Sequence, residues 1–320
     1  MESFVIEGGR PLSGRIRAAG NKNGALPILA ATLLSTEPVT LRNVPRIRDV
    51  ETMVELLADL GADADWVGRN EVRVHAEELA RSEPDEVLCR RIRASFLLAA
   101  PLLARTGRAT MPPPGGDVIG RRRLDTHIHA FEQLGVRIEA DRRYELRVGR
   151  LQGRDIFLDE ASVMGTENAI MAAVCAEGET VVGNAACEPH VQDLCRFLVA
   201  LGARIEGIGS NVLRIRGVQT LDGGEYRIGA DHIEVASFVG LAAVTGGELV
   251  VEDVVPADLL PLEHHFDRIG VRWDVEGDTV RVPAGQELVV RDDLGGQIPK
   301  IEDGPWPAFP ADLTSIALAV

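Results

Sequence analysis

A loop between residues 111 and 127 carries residue types that could do chemistry. Three prolines and two glycines precede Asp117, and three arginines follow at 121–123. Because so much proline and glycine cannot continue a helix or a central strand, the segment is predicted to be a shaped loop. Its guanidinium groups could hold an anion while Asp117 transfers a proton. A solvated surface turn is the alternative, since runs of charge usually face water.

The cysteines and histidines do not suggest a metal site. The four cysteines show no paired spacing. Cys175 lies in an apolar run and Cys195 on an amphipathic helix, so both are predicted to be small buried hydrophobic residues. The pairs His127/His129 and His264/His265 lack further ligands at a suitable spacing. We therefore expect no metal.

Composition narrows the class of protein and its partners. With 320 residues and 45% hydrophobic content, the chain is long enough for two packed domains. Its net charge of -15 argues against nucleic acid or an anionic membrane as the main partner. The apolar runs are too short to span a bilayer, and the amino terminus has no signal-peptide pattern. These features predict a cytoplasmic protein.

The elements that must position the loop form a repeat. Amphipathic helices end in Leu-Gly-Ala or a close variant at Gly61, Gly135, Gly202 and Gly270. Each glycine suits the left-handed position after a helix. A strand, a short turn and a second strand are predicted to follow each one.

A second type of helix precedes each amphipathic one and is apolar on all sides, which predicts that it is buried. These helices begin near residues 24, 94, 168 and 234. The repeating unit is thus helix, strand, helix, strand, strand, in an α/β fold with helices inside and sheets outside. Residues 310–320 resemble the start of a fifth buried helix. Asp312 precedes its apolar part, where an aspartate most often caps the helix.

With the repeat and the loop in place, the chain resembles the enolpyruvyl transferases from Phe4 to its last residue. The resemblance depends on motifs that occur in the order typical of the family. They are 20–27 (GNKNGALP), 92–95 (IRAS), 114–122 (PGGDVIGRR), 162–168 (SVMGTEN), 184–189 (NAACEP), 231–234 (DHIE) and 308–312 (AFPAD).

The resemblance implies a two-domain inside-out α/β barrel with the active site between the domains. The first domain is expected at 21–229, with the catalytic loop at 111–123. The second is expected to combine 1–20 with 230–320 and to be incomplete. The implied reaction transfers the enolpyruvyl group of phosphoenolpyruvate to the 3-hydroxyl of UDP-N-acetylglucosamine and releases phosphate, the first committed step of peptidoglycan precursor synthesis. It needs no cofactor, because it is an addition followed by an elimination.

The resemblance also assigns residues to the reaction. Lys22 and Arg122 are implied to bind the anionic substrate, Asp117 to act in the loop, and Asp312 to be the base for the sugar hydroxyl. Lys22 is placed just before a helix start, where amide donors also favour an anion. Glu188 and Asp231 are expected to line the cleft at most. The implied substrate-binding residues include Asn23, Arg93 and two segments that contact the nucleotide. The first segment is 122–126, with Arg123, Leu124, Asp125 and Thr126, and the second is 160–163, with Glu160, Ala161, Ser162 and Val163.

Two departures from the family pattern bear on activity. Many members have a cysteine where this chain has Asp117, so fosfomycin, which alkylates that cysteine, is expected not to inactivate it. A free aspartate has a pKa near about 3.9, so Asp117 can donate a proton only if its surroundings raise that pKa. The family also continues for roughly one and a half further units. That part carries another phosphoenolpyruvate-binding arginine, so a chain without it is expected to turn over poorly or not at all.

Two alternatives stay open. One is an enolpyruvyl transferase for another acceptor, such as shikimate 3-phosphate, and the unexplained Trp306 could accompany such a change. The other is a non-catalytic homologue that binds a nucleotide or a partner. Phosphate release assayed with different acceptors separates them.

Overall fold

The computed structural model describes residues 3–116 and 123–320. The chain folds into two compact units, Gly20–Gly229 and Met1–Ala19 with Ala230–Val320. We call them unit A (20–229) and unit B (1–19 with 230–320). Each has its own hydrophobic core. None of the helices in the described residues is long and apolar enough to cross a membrane.

Unit A contains three successive repeats of the predicted kind. The first comprises α1 (Lys22–Thr32), β2 (Val39–Arg42), α2 (Arg48–Asp59), β3 (Asp63–Gly68) and β4 (Glu71–His75). The second comprises α3 (Glu86–Cys89), a 3-10 helix (Arg93–Leu98), α4 (Ala99–Thr106), β5 (Arg108–Met111), α5 (Asp125–Gln133), β6 (Arg137–Ala140) and β7 (Tyr144–Arg147). The third comprises β8 (Asp155–Phe157), α6 (Val163–Val174), β9 (Glu179–Gly183), α7 (Pro189–Ala200), β10 (Arg204–Glu206), β11 (Val212–Arg216) and β12 (Gly224–Arg227).

Unit B contains the fourth repeat. It comprises β1 (Gly14–Arg17), α8 (His232–Thr245), β13 (Leu249–Glu252), α9 (Pro256–Asp267), β14 (Asp274–Glu276), β15 (Thr279–Val282), a 3-10 helix (Ala311–Leu313) and α10 (Thr314–Ala319).

The glycines that end the amphipathic helices adopt the predicted left-handed conformation. Gly61, Gly135, Gly202 and Gly270 have φ angles of 103°, 91°, 100° and 84°. The helices before them are α2, α5, α7 and α9, and each buries one stripe of side chains. The amphipathic helices predicted from the sequence, and the glycines that end them, are therefore confirmed.

Each sheet contains three antiparallel strands of one repeat, and three of the sheets add a fourth strand that pairs in parallel. The strand orders are β12-β2-β4-β3, β5-β7-β6, β10-β11-β9-β8 and β1-β13-β15-β14. The parallel pairs are β12 with β2, β8 with β9, and β1 with β13. The strand β1 thus joins the sheet of the fourth repeat.

A repeated side-chain contact holds these parallel strands and was not predicted. Asn43, Asn184 and Asp253 follow β2, β9 and β13 with φ angles of 59°, 56° and 60°. Asn43 Nδ2 donates to the carbonyl of Ile228 after β12, at 3.0 Å, and Asn184 Nδ2 donates to the carbonyl of Leu158 after β8, at 2.9 Å. Asp253 pairs instead with Arg17 at the end of β1, at 3.2 Å. Asparagine and aspartate tolerate the left-handed region, and their side chains can then join neighbouring strands.

The buried helices differ between the units. α1 and α6 are buried around their circumference, with residues 24–32 and 165–174 buried without a break. On α8, Leu241 and Val244 are 44% and 45% exposed. Complete burial was therefore wrong for α8, which packs on one side against β13, β15, α9 and α10. Residues 310–320 form a short helix with partly buried Ile316 and Val320, not a buried one.

Candidate active site

The start of α1 presents Lys22 and Asn23. Asn21 is the N-cap, and its Oδ1 accepts hydrogen bonds from the amides of Asn23 and Gly24 at 2.8 and 3.3 Å. Lys22 is the first helical residue rather than the one before the helix. Its side chain is 45% exposed, with Nζ 3.6 Å from Asp49 Oδ2. The cap thus already accepts hydrogen bonds from two first-turn amides, and the Lys22 ammonium is a cationic group at this helix start.

The described start of the loop packs closely on the segment that carries Arg93. The amide of Gly115 donates to the carbonyl of Cys89 at 3.0 Å. A Cβ on Gly115 would lie 1.7 Å from the carbonyl oxygen of Arg90, so only glycine fits. Gly116 has φ of 87° and lies against Arg93. Asp117 and Arg122 lie outside the described residues.

Arg93 connects to the segment predicted to hold the nucleotide. Its Nη2 donates to the carbonyl of Arg123 at 3.3 Å. The Arg123 guanidinium in turn forms an ion pair with Asp125. Leu124 is buried and is the residue that precedes α5. Arg93, Arg123, Leu124 and Asp125 therefore form one local cluster in unit A.

Thr126 joins this cluster to the second predicted segment. Its hydroxyl donates to Asp159 Oδ1 at 2.9 Å and lies 3.3 Å from Glu160 Oε1. Ser162 caps α6 by accepting a hydrogen bond from the amide of Gly165, and Ala161 and Val163 flank it, half-buried. A Cβ on Gly165 would lie 2.8 Å from Thr126 Cγ2, so α5 and α6 approach closely here. Sequence analysis missed Asp159, whose contact with Thr126 spans 33 residues.

Beneath the cluster lies a buried histidine. Asn168 Nδ2 donates to His127 Nδ1 at 2.8 Å and to the carbonyl of Phe96 at 3.1 Å. Burial, with a smaller effect of the nearby Arg93, lowers the pKa of His127 to about 3. A neutral imidazole that accepts from Asn168 keeps its proton on Nε2. His127 is therefore a neutral structural residue beneath the arginines.

A buried carboxyl group lies on the same helix as Asn168. Glu167 is 1% exposed, and its Oε1 has no hydrogen-bond partner among the described residues. Burial, followed by the charge of Glu188, raises the pKa of Glu167 well above its usual value. Burial thus favours the neutral form of Glu167.

Two of the four cysteines, Cys89 and Cys195, are buried, and Cys175 and Cys187 are half-buried. Burial raises the pKa of Cys195 and Cys89 to about 12 and that of Cys175 to about 11. Cys195 is buried as predicted, whereas Cys175 is only half-buried because it ends α6. Among residues 3–116 and 123–320, no group of three or more His, Cys, Asp or Glu side chains is arranged to hold a metal ion.

Asp312 lies in unit B beside His232. It is exposed and sits inside the 3-10 helix that starts at Ala311, and no side chain caps that helix. The N-cap expectation for Asp312 was therefore wrong. Burial lowers the pKa of His232, while the charges of Asp231 and Asp312 partly oppose that change. The Trp306 ring packs edge-on against His232, with centroids 5.5 Å apart, which gives this tryptophan a structural role.

Comparison with known proteins identifies the family. The sequence profile of EPSP synthase (3-phosphoshikimate 1-carboxyvinyltransferase) matches residues 6–319. This chain belongs to the EPSP synthase family of enolpyruvyl transferases. It is 57% identical to UDP-N-acetylglucosamine 1-carboxyvinyltransferase of Bradyrhizobium diazoefficiens, over 98% of this chain and 73% of the relative. It is 53% identical to the enzyme of that name from Treponema denticola, over 100% of this chain and 75% of the relative.

A solved structure agrees with this assignment. The crystal structure of the enolpyruvyl transferase NikO from Streptomyces tendae matches with a TM-score of 0.76 and 26% sequence identity. The match covers 87% of this chain and 67% of that one. The predicted enolpyruvyl transferase fold is therefore confirmed.

Proposed function

We propose that this chain transfers the enolpyruvyl group of phosphoenolpyruvate to the 3-hydroxyl of UDP-N-acetylglucosamine and releases phosphate. The observation that carries the proposal is the 57% identity, over 98% of the chain, to a UDP-N-acetylglucosamine 1-carboxyvinyltransferase. The reaction is a step of peptidoglycan precursor synthesis. The chain is thereby a transferase of cell-wall biogenesis, a process that serves cell shape and cell division.

The phosphoenolpyruvate end of the reaction needs cations, because the substrate carries a carboxylate and a phosphate. Lys22 supplies an ammonium at the exposed start of α1, with Asn23 beside it as a polar contact. Arg93 and Arg122 supply guanidinium groups, whose fork of donors suits carboxylate and phosphate oxygens.

The acceptor end needs a polar surface for a uridine nucleotide. We assign it to residues 123–126 together with 160–163. The hydroxyl of Thr126, which bonds Asp159 and lies close to Glu160, supports this assignment because it ties the two segments together. The half-buried Ala161 and Val163 supply apolar area beside them.

Proton transfers complete the reaction. Asp312 accepts the proton of the sugar hydroxyl. In the same step the hydroxyl oxygen attacks C2 of phosphoenolpyruvate, and Asp117 donates a proton to C3. In the elimination, the new methyl group returns a proton to Asp117 as the C2–O bond to phosphate breaks, and the departing phosphate takes up, through solvent, the proton that Asp312 had accepted. Asp117 must therefore be protonated before the addition.

Phosphate release is the decisive assay. The chain is incubated with phosphoenolpyruvate and either UDP-N-acetylglucosamine, shikimate 3-phosphate or no acceptor. We expect release with the nucleotide sugar and none above background otherwise. Release with shikimate 3-phosphate alone would assign another acceptor. No release in any arm, with retained nucleotide binding, would indicate a non-catalytic homologue.

Position 117 allows a second, independent assay. We expect fosfomycin to leave phosphate release unchanged in the natural chain and to inactivate the Asp117→Cys variant, because only a thiol supplies the nucleophile. Mass spectrometry should show one adduct on the variant and none on the natural chain. An adduct at Asp117 would overturn this part of the proposal.

Two further parts of the proposal concern organisation and partners. We propose that 21–229 and 1–20 with 230–320 act as the two domains of the reaction, the first carrying the loop at 111–123. We also propose a cytoplasmic location with small-molecule partners only. The net charge of -15 supports the absence of a nucleic-acid or anionic membrane partner.

A further inference from the structure

A buried carboxylate on α7 has no part in the reaction described so far. Asp193 is 8% exposed and accepts two hydrogen bonds. The Tyr226 hydroxyl donates to its Oδ1 at 2.6 Å, and the amide of Gly229 donates to its Oδ2 at 3.0 Å. Burying a carboxylate is costly without such donors, so the arrangement calls for a reason.

The hydrogen bonds of Asp193 continue to the start of α1. Gly229 accepts a hydrogen bond at its carbonyl from the amide of Asn21, at 2.9 Å. Asn21 is the cap that orders the amides of Asn23 and Gly24. A path of three hydrogen bonds thus leads from the Asp193 carboxylate through Gly229 and Asn21 to the turn that carries Lys22.

Packing reinforces the same path. A Cβ on Gly24 would lie 3.5 Å from Asp193 Oδ2 and 3.6 Å from His190 Cβ, so the first turn of α1 rests on α7. On the other side, a Cβ on Gly20 would lie 1.8 Å from the carbonyl oxygen of Asn43. The Tyr226 ring is held in turn by Phe197, edge-on with centroids 5.3 Å apart. The backbone around Asn21 is therefore fixed from both sides, and Asp193 is the only charged group in this path of hydrogen bonds among the described residues.

We propose that Asp193 is a positioning residue that fixes the start of α1, and with it Lys22 and Asn23, through Gly229 and Asn21. Asp193 touches no substrate. It holds the Gly229 amide so that the Gly229 carbonyl faces Asn21, and the capped turn then presents Lys22 in one place. The proposal deepens the proposed function, on which its kinetic part rests.

The test compares Asp193→Ala, Asp193→Asn and Tyr226→Phe in the full chain. Hydrogen exchange at the amides of residues 21–24 reports the turn directly, without turnover. Losing one hydrogen bond of about 1.4 kcal/mol corresponds to about a tenfold change in the local opening equilibrium. We expect exchange at 21–24 to be about tenfold faster in Asp193→Ala. Asp193→Asn keeps an oxygen that can accept from the Gly229 amide, and Tyr226→Phe keeps the carboxylate. The exchange rates of both variants at 21–24 should therefore lie between those of Asp193→Ala and the natural chain.

Kinetics separate positioning from general destabilisation. We expect Asp193→Ala to raise KM for phosphoenolpyruvate about tenfold while kcat falls less than about threefold, since only the position of a binding cation changes. Asp258→Ala is the matched control, because Asp258 is an equally buried aspartate, 9% exposed, in unit B. It should lower the melting temperature without changing exchange at 21–24.

The outcomes are distinguishable. Unchanged exchange at 21–24 in Asp193→Ala would overturn the positioning role, as would faster exchange equal to that in Asp258→Ala. If Asp193→Ala does not fold, exchange at 21–24 in Asp193→Asn decides, and a rate equal to that of the natural chain would overturn the proposal. If the natural chain releases no phosphate, the proposed function fails, while the exchange data still decide whether Asp193 fixes the turn.

Discussion

The first turns of α1 and α8 are built alike and carry opposite chemistry. Each begins at a side-chain cap, with Asn21 and Asp231 each accepting hydrogen bonds from the two amides that follow at the second and third positions. After the cap, α1 presents the half-exposed Lys22, whereas α8 buries His232, which is 5% exposed. The two helix starts thus share one backbone arrangement, and the cap residue and the residue after it determine the charge of each turn.

This difference indicates what each turn can do. A neutral cap followed by a lysine gives a cationic helix start, where the macrodipole adds to the attraction for an anion. An aspartate cap, a neutral histidine and the nearby Asp312 give an acidic site, which suits proton removal from a hydroxyl. The predictions below test this contrast.

The largest expected effect concerns the acidic site. We expect Asp312→Asn to lower kcat for phosphate release about 10²- to 10⁴-fold, the usual range for losing a general base. Binding of UDP-N-acetylglucosamine, measured by calorimetry, should change little, because the amide has the same shape. A kcat within about tenfold of the natural value would remove Asp312 as the base.

A smaller loss is expected at the cationic turn. Lys22→Met should lower kcat/KM for phosphoenolpyruvate about 100-fold, since one charge-assisted contact of about 2–3 kcal/mol is lost. Lys22→Arg keeps the positive charge and should therefore retain part of the natural kcat/KM for phosphoenolpyruvate. Asp49→Asn serves as the control because it removes the 3.6 Å neighbour of Lys22 and leaves the ammonium. Equal losses in Lys22→Met and Asp49→Asn would show that the ion pair, not the cation, matters.

The helices that carry these two turns could be predicted from the sequence, whereas the side-chain contacts around the turns could not. The ends of the amphipathic helices could be predicted because a glycine directly follows Leu60 and Leu201 in the sequence, and both glycines adopt the left-handed conformation. The contact of Thr126 with Asp159 could not be predicted from the sequence, because the two residues are 33 positions apart and neither residue type is unusual in a loop. The burial of His232 beneath Trp306 likewise depends on two segments that only the fold brings together.

One prediction drawn from the repeat, the complete burial of α8, was wrong. α8 has an apolar sequence like that of α6, which predicts burial, yet Leu241 and Val244 are half-exposed. Composition reports what a helix could bury, whereas its neighbours decide what it does bury. The left-handed Asn43, Asn184 and Asp253 could have been predicted from the sequence, since asparagine or aspartate directly follows β2, β9 and β13 in these three repeats.

The pH dependence of stability should distinguish the two turns. Because burial lowers the pKa of His232, the folded state favours the neutral ring. Its contribution to stability is therefore complete above the ordinary pKa near about 6.5 and is lost as the pH falls below it. We expect the melting temperature to fall less between pH 6.5 and 5 in His232→Asn than in the natural chain. His127 contributes to both chains alike, so the difference isolates His232. A Lys22→Met chain should keep the natural slope, and parallel slopes for all three would refute the assignment.

The smallest expected effect comes from giving α1 the cap of α8. Asn21→Asp keeps an oxygen for the amides of Asn23 and Gly24, and aspartate caps about as well as asparagine. Its charge favours the positive end of the helix dipole, but Asn21 is 5% exposed and the burial of a carboxylate opposes that gain. The free energy of unfolding should therefore change by less than about 1 kcal/mol in denaturant titrations. The same charge lies beside Lys22 and repels a bound anion, so KM for phosphoenolpyruvate should rise severalfold. Asp231→Asn, the reverse exchange, should change stability by a similarly small amount without changing that KM. If Asn21→Asp left KM unchanged, the cap charge would have no part in the difference between the two turns.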